Sequence, residues 1–395
     1  MRILKVTQAY VPFRERGGPV EMVRTLARVL SRRGHRVTVL TAVLDRQRLA
    51  HLGQRTALGW RSDDEGIETL YLPTVGSFRS LTLNPAVLAF CRRLDTFDVV
   101  HLYGLYDLLG PPIAAGCRRR GIPYVVEPMG MFRPMDRAVP LKRLWHKLWG
   151  RTLLAGAAGL VASSELEGSE LREGGLPANR LFVRPNPIGA DVLLPLPPRG
   201  CFRQQHGIAA DEPLILFLSR LIARKGADLL IEAFAQALPD RGVLVIAGPE
   251  GEPGILDRLR QLALRCGVQQ RVRFTGPLYA EQRRQALADA DLFALPSRYE
   301  NYGNAAAEAL LAGVPALITE NCGVSEYARN RGALIVRRQH DELVGALRQF
   351  FEDPELQRRL RAQCALFGSV CDPELLAARQ EEIYTAALGA TCDYP

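Results

Sequence analysis

Leu292-Phe293-Ala294-Leu295-Pro296-Ser297-Arg298-Tyr299-Glu300-Asn301-Tyr302-Gly303-Asn304-Ala305-Ala306-Ala307-Glu308-Ala309-Leu310-Leu311 reads as a strand, a polar loop and a helix in direct succession. The apolar run Leu292–Leu295 suits a buried strand, and Pro296 ends it. Gly303 permits a tight backbone turn, and Asn304 is a residue type that caps helices. A helix starting there presents unpaired N–H groups and a partial positive charge, which suits a phosphate. The alanines at 305–307 leave room for a ligand against the first turn. Glu308 lies one turn beyond Asn304, about 6 Å along the axis. A ribose attached to a diphosphate at the helix end would lie about that far along, and a carboxylate accepts from two vicinal hydroxyls. Glu300 sits in the loop on the other side, facing whatever hangs from the distal phosphate. An isolated pair of glutamates at this spacing would read as surface charge; the strand–loop–helix context argues otherwise.

The same alternation extends in both directions. Strands are expected at Leu214–Leu218, Val243–Ala247, Val272–Phe274, Ala316–Thr319 and Ala333–Val336. Helices are expected at Ala227–Ala237, Gly254–Arg265, Ala280–Ala288, Asn304–Leu311 and Asp341–Phe350. Ahead of them, Ile3–Thr7, Val37–Leu40, Thr69–Leu72, Val99–Leu102, Tyr124–Val126 and Gly159–Ala162 read as strands. Glu21–Arg32 repeats apolar residues at a helical period. Alternating β and α units imply parallel sheets covered on both faces. Pro185-Asn186-Pro187 and Pro195-Leu196-Pro197-Pro198 mark a linker between two such units. A last helix, Pro373–Leu388, has Asp372 as its cap. Residues 1–186, 187–370 and 371–395 are therefore read as a first domain, a second domain and a closing helix.

Parallel α/β sheets bind ligands beyond the carboxyl ends of their strands, so the loops found there carry the argument. Phe217-Leu218-Ser219-Arg220-Leu221-Ile222-Ala223-Arg224-Lys225-Gly226 follows a buried strand and precedes a helix. Arg220 and Lys225 would bring two cations to the site, where they would stabilise a departing diphosphate. A solvated basic loop is the plainer reading. Arg16-Gly17-Gly18-Pro19 follows the first strand, and its glycines allow close approach to phosphate or acceptor. It is not a full G-x-G-x-x-G, which argues against NAD. His101 ends a strand and is read either as a polar contact to a sugar or as a satisfied structural histidine.

Composition bounds the rest. The chain has 395 residues, 47% hydrophobic and 24% charged, enough for two globular domains. No apolar run reaches the roughly 18 residues of a membrane span. The start, Arg2-Ile3-Leu4-Lys5-Val6, leads straight into a strand and does not read as a signal peptide. The 8 cysteines form no CxxC pair, so neither zinc nor a disulfide framework is expected. A reduced, cytoplasmic protein follows. Net charge is +9, which fits solubility or attraction to anionic partners. No nucleic-acid motif accompanies it, so no nucleic-acid partner is expected. Leu141-Lys142-Arg143-Leu144-Trp145-His146-Lys147-Leu148-Trp149 sets Leu141, Leu144, Trp145 and Leu148 on one helical face beside basic residues. That pattern suits core packing or an anionic membrane surface.

Taken together, these stretches resemble the retaining GT-B glycosyltransferases of family 4 over nearly the whole chain. Gly17-Gly18 with Arg33-Gly34-His35-Arg36-Val37-Thr38-Val39-Leu40-Thr41 is similar to the family's opening. Arg220 and Lys225-Gly226 match its diphosphate pair. Glu300, Gly303, Glu308 and Ala312-Gly313-Val314-Pro315 match its E-x7-E signature and the turn after it. Pro185-Asn186-Pro187-Ile188-Gly189 resembles its hinge.

The resemblance implies an α/β GT-B fold: two Rossmann-like parallel-sheet domains facing a cleft, with the C-terminal helix crossing back to the first. It implies transfer of a sugar from a UDP- or GDP-type nucleotide sugar to a saccharide or lipid-linked saccharide, with no cofactor and no metal. Glu300 would contact the donor sugar, Glu308 the ribose, Arg220 and Lys225 the diphosphate. The amides near Gly303 and Asn304 would help, Gly18 would border phosphate and acceptor, and His101 would serve the sugar side. The nucleobase would lie near Gly248 and Phe274-Thr275-Gly276. Tyr103 and Met129-Gly130 depart from histidine-bearing positions of many relatives, which bears on the acceptor. A front-face path to retention is the expected mechanism, double displacement being the other. A sugar-nucleotide isomerase or hydrolase, and a non-catalytic GT-B partner subunit, remain the alternatives. The expected location is cytoplasmic, either free or peripheral on the inner face of the cytoplasmic membrane.

Overall fold

The computed structural model describes residues 1–13, 18–45, 52–78, 81–135, 138–189 and 193–390. The chain divides into a first unit, Met1–Pro187 with Asp372–Pro395, and a second, Ile188–Cys371.

The first unit is built on a 9-stranded sheet ordered β11-β10-β9-β8-β1-β2-β5-β4-β3. Its central strands are β1 (Arg2–Val6), β2 (Arg36–Ala42), β5 (Ile67–Leu72), β8 (Val99–Tyr103), β9 (Tyr124–Glu127) and β10 (Gly159–Ala162). These pair in parallel, as does the edge strand β11 (Leu181–Val183). Successive residues of a strand serve opposite faces. Leu4, Val6, Leu40, Val100 and Val126 therefore enter one core, while Ile3, Val37, Val39, Val99 and Val125 enter another.

The second core is completed by the helices Gly18–Arg32 and Pro373–Gly389, the latter through Leu376, Ala377, Ile383, Tyr384 and Ala387. Asp372 caps the closing helix by accepting from the amides of Glu374 and Leu375. Glu381 of that helix takes two hydrogen bonds of 2.8 Å from Arg33 and one of 2.8 Å from His35. The Arg33 hydrogen bonds hold its carboxyl near 2.

Three parts of the first unit differ from the sequence reading. β3 (Gln54–Thr56) and β4 (Gly59–Asp64) add an antiparallel edge. β6 (Gly76–Phe78) and β7 (Leu81–Leu83) form a separate two-stranded sheet. Edge strands of this kind are short and mostly exposed, so they lack the apolar run that marks a buried strand. The segment expected as one amphipathic helix is a helix at Val139–Trp145, a π-helical turn at His146–Gly150 and a further helix at Arg151–Ala155. The extra residue of the π turn rotates the face. Trp145 is buried while Leu141, Leu144, Leu148 and Trp149 are exposed, so the stripe does not pack as a core face.

The second unit carries a 6-stranded, wholly parallel sheet: β12 (Leu214–Leu218), β13 (Val243–Ala247), β14 (Val272–Gly276), β15 (Leu292–Leu295), β16 (Ala316–Thr319) and β17 (Ala333–Val336). Its order, β14-β13-β12-β15-β16-β17, is the 3-2-1-4-5-6 arrangement of nucleotide-binding sheets. The order reverses between β12 and β15. Parallel α/β sheets bind ligands beyond the carboxyl ends of their strands at such a reversal.

Candidate active site

The two motif-bearing loops of the second unit leave the sheet at that reversal. Ser219–Gly226 follows β12, and Pro296–Gly303 follows β15. Main-chain and side-chain bonds zip them together. The amide of Arg298 donates to the carbonyl of Arg224 at 2.8 Å, and the Arg224 guanidinium donates to the carbonyl of Tyr299 at 3.0 Å. Gly226 makes the closest approach: it has φ +76, and a Cβ there would stand 2.3 Å from the Pro296 carbonyl oxygen.

Lys225 and Glu300 meet in this zipped region. The Lys225 ammonium pairs with Glu300 Oε1, and the two side chains are only 10% and 11% exposed. Ser297, fully buried, donates its hydroxyl to the same oxygen at 3.2 Å. The Glu300 main chain is fixed by the loop after β16, donating to the Asn321 carbonyl at 3.0 Å and accepting from the Gly323 amide at 2.9 Å. The helix Asn304–Leu311 begins directly beyond, with Gly303 at φ +103 in the cap position and no side-chain capping bond. Asn304, expected as the cap, is the first helical residue instead. A side chain at the cap itself would have to fit this left-handed backbone, and a Cβ there would stand 2.6 Å from Cys322 Sγ.

The other expected residues fall as follows. Arg220 is exposed, and its guanidinium makes no hydrogen bond or ion pair among the described residues. Glu308 lies on the helix Asn304–Leu311, where Arg283 of the helix Ala280–Asp289 contacts both its oxygens, at 3.4 and 3.3 Å. Gly248, at the end of β13, donates its amide to the carbonyl of Gly276 at the end of β14, at 2.9 Å. In the first unit, Gly18 opens the helix Gly18–Arg32, while Arg16 and Gly17 lie outside the described residues.

His101 is not at a surface a sugar can reach. It is fully buried within a polar cluster of the first unit. Its Nδ1 lies 2.9 Å from the Tyr384 hydroxyl, its Nε2 3.5 Å from Glu127, and its ring stacks on Tyr103 at 4.1 Å. Burial holds it well below the ordinary histidine range, with Lys5 and Arg184 adding to the effect. Around it, Lys5 donates to the Tyr103 hydroxyl at 2.6 Å and Arg184 donates to Glu127 at 2.7 Å.

Burial also pulls the Lys5 ammonium down to about 7, helped by Arg184 and opposed by Glu127. An unfolded chain keeps that proton to about pH 10. Between those values the unfolded state binds more protons, so stability rises with pH. Lys5→Met is expected to flatten the rise in thermal midpoint between pH 7 and 9. An unchanged slope on thermal denaturation would place its origin elsewhere.

Sequence reasoning did not single out Ser297, Arg224 or Arg283. Ser297 lay inside the quoted motif; Arg283 carries no local signal, because its partner is a helix away.

A six-stranded sheet in this order, with charge gathered at its reversal, is a nucleotide-handling scaffold. The description glycosyl transferases group 1 matches residues 199–365, and glycosyl transferase 4-like domain matches residues 17–187. A D-inositol 3-phosphate glycosyltransferase of Xylanimonas cellulosilytica is 30% identical over 359 residues, covering 84% of this chain and 82% of that protein. One from Jonesia denitrificans is 28% identical over 333 residues, covering 76% of each. Among solved structures, Anabaena HepE in complex with UDP-glucose is similar with a TM-score of 0.75 at 20% identity, over 98% of this chain and 100% of that one. Sucrose-phosphate synthase from Thermosynechococcus elongatus gives 0.75 at 17% identity over 98% of both chains. The chain belongs to the group 1 glycosyltransferases, family 4, with the GT-B fold. It is a glycosyltransferase that draws on a nucleotide sugar.

Proposed function

We propose that the chain is a retaining, metal-independent hexosyltransferase that takes a sugar from a UDP- or GDP-type donor and passes it to a saccharide or lipid-linked saccharide. The observation that carries this reading is the Lys225–Glu300 pair at the sheet reversal, beside the first amides of the helix Asn304–Leu311. Lys225 and Arg220 take the diphosphate, helped by the amides at Gly303 and Asn304. Glu300 accepts from hydroxyls of the donor sugar, and Glu308 from the ribose. The UDP-glucose bound to HepE supports a uridine donor.

In the front-face path, the bond from the anomeric carbon to the leaving phosphate oxygen breaks while the acceptor oxygen bonds on the same face. The acceptor's proton passes to the departing phosphate. Charge develops on that phosphate, where Arg220 and Lys225 stabilise it without a metal. Arg220→Ala is expected to lower turnover about 100-fold or more while weakening nucleoside binding little. An equal loss in both would reduce Arg220 to ground-state binding. The donor class is read from a thermal-shift screen against UDP, GDP, ADP and their common sugar conjugates, because native-state binding raises the midpoint. No shift with any of them would sink the reading.

The exposed Leu141, Leu144, Leu148 and Trp149 stand among Lys142, Arg143, Lys147 and Arg151, with no acidic residue between 138 and 155. No helix among the described residues is long and apolar enough to cross a membrane. This surface rests on an anionic bilayer at the cytoplasmic face and brings the site to a lipid-linked acceptor. Co-sedimentation with phosphatidylglycerol vesicles is expected, and it should fall in the Trp149→Ser, Lys147→Glu double variant. Equal sedimentation of the two proteins would remove the membrane from the account.

A further inference from the structure

The stretch from Val139 to Ala155 has two faces. Leu141, Leu144, Leu148 and Trp149 are exposed on one of them. The other grips two loops. His146 Nε2 lies 2.8 Å from the Tyr106 hydroxyl, and the imidazole meets the Tyr106 ring edge-on with 5.5 Å between centroids. It meets Phe132 the same way at 6.1 Å. Lys142 donates to the Met135 carbonyl at 2.6 Å and stands 5.4 Å from the centre of the Tyr106 ring. Tyr106 follows β8 and Phe132 follows β9. Both loops therefore leave the carboxyl ends of parallel strands, where ligands bind.

The sequence accepts local costs to hold the imidazole there. The amide of Arg151 donates to the His146 carbonyl, one residue further back than in an α-helix, and so opens the π turn. Single turns of this kind are rare, and they concentrate at functional sites. Gly150 is buried with an ordinary helical φ of −60, so its backbone does not call for glycine. A Cβ there would stand 2.8 Å from His146 Nδ1 and would push the ring off Tyr106. Glycine inside a helix is destabilising relative to alanine. The Trp145 Nε1 donor is also buried without a hydrogen-bond partner among the described residues. Costs gathered in so short a stretch mark a functional segment rather than one selected for packing.

We infer that His146 is a positioning residue: it ties the loop after β8 to the membrane-facing helix, so that contact with a bilayer orders the carboxyl-end loops of the first unit, the part that the proposed function leaves to the acceptor. This rests on the membrane reading proposed above. A bilayer that holds the exposed face restrains His146, and through the Tyr106 hydroxyl it restrains residues 104–109. That loop then gives up less freedom when a lipid-linked saccharide arrives.

The test is hydrogen exchange read by mass spectrometry on the full chain, with and without phosphatidylglycerol vesicles. In wild type the vesicles are expected to slow exchange at residues 104–109 by about fivefold, the worth of one hydrogen bond, and to slow it at residues 139–150 as well. Tyr106→Phe removes the hydroxyl and keeps the ring. Vesicles should still protect 139–150 in this variant, while 104–109 exchange equally with and without them. Gly150→Ala displaces the imidazole by another route and should give the same pattern; it carries the test if the phenylalanine variant does not fold. A merely structural bond would speed exchange at 104–109 in these variants and leave the effect of vesicles unchanged.

Vesicle protection of 104–109 at wild-type strength in either folded variant overturns the inference. So does protection of 139–150 in wild type with none at 104–109. If wild type gains no protection at 139–150 and does not sediment with the vesicles, the membrane reading fails and takes this inference with it.

Discussion

Lys225→Met is expected to destabilise the second unit by about 3 kcal/mol and to abolish measurable transfer. Lys225 and Glu300 are both nearly excluded from water, and each is the other's counter-charge. Removing the lysine leaves the Glu300 carboxylate with only the Ser297 hydroxyl, among the described residues, against it on that oxygen. An uncompensated buried charge costs far more than the pair contributes. The double variant Lys225→Met, Glu300→Gln should therefore recover much of the lost stability, yet none of the activity, because both groups are assigned to the donor. Chemical denaturation of the single and double variants reads the coupling directly. Additive losses would show that the two side chains do not act as a pair.

Gly226→Ala should do comparable damage by another route. The added methyl meets two costs. The left-handed backbone at φ +76 disfavours a Cβ by about 1–2 kcal/mol. The Pro296 carbonyl oxygen, 2.3 Å from the new atom, also has to move. That oxygen accepts from Arg338 at 3.1 Å and belongs to the loop that carries Glu300, so its displacement pulls on the site. A combined loss of about 2–4 kcal/mol is expected, with nucleotide affinity falling too. A loss near 1 kcal/mol with unchanged affinity would mean that the two loops do not press on each other.

The parts of the fold legible in the sequence share a physical cause. Leu214–Leu218, Val243–Ala247, Leu292–Leu295 and Ala316–Thr319 are mostly apolar runs, buried almost throughout, and the structure returns the same bounds. A strand covered on both faces advertises itself in this way. β4 does not: after Trp60 it carries four polar residues, Arg61 to Asp64, half or wholly exposed, and pairing with β3 and β5 is what makes it a strand. The same cover on both faces hides which way a polar residue points. All of β8 is buried, so alternation could not say that His101 turns inward to Tyr384 rather than toward a ligand.

At the site, Glu300 and Lys225 were readable because each follows a strand end in a loop, and the sheet order brings those two loops together. The pairing itself was not readable, since it depends on which strands are neighbours. Arg283 was further from view. It sits among Glu281, Gln282, Arg284 and Gln285, where one more charge on a polar helix carries no local mark.

The closing helix Pro373–Gly389 sets a timetable for synthesis. It supplies Ile383 and Tyr384 to the core that also holds Ile3, Val125 and Val161, yet the ribosome makes it after the whole of the second unit. The later-made sheet is thus complete while the earlier one still shows bare aliphatic surface. A nascent chain arrested just beyond Cys371 would present that surface to chaperones and proteases, so translation errors that remove Pro373–Gly389 should cost yield out of proportion to their length.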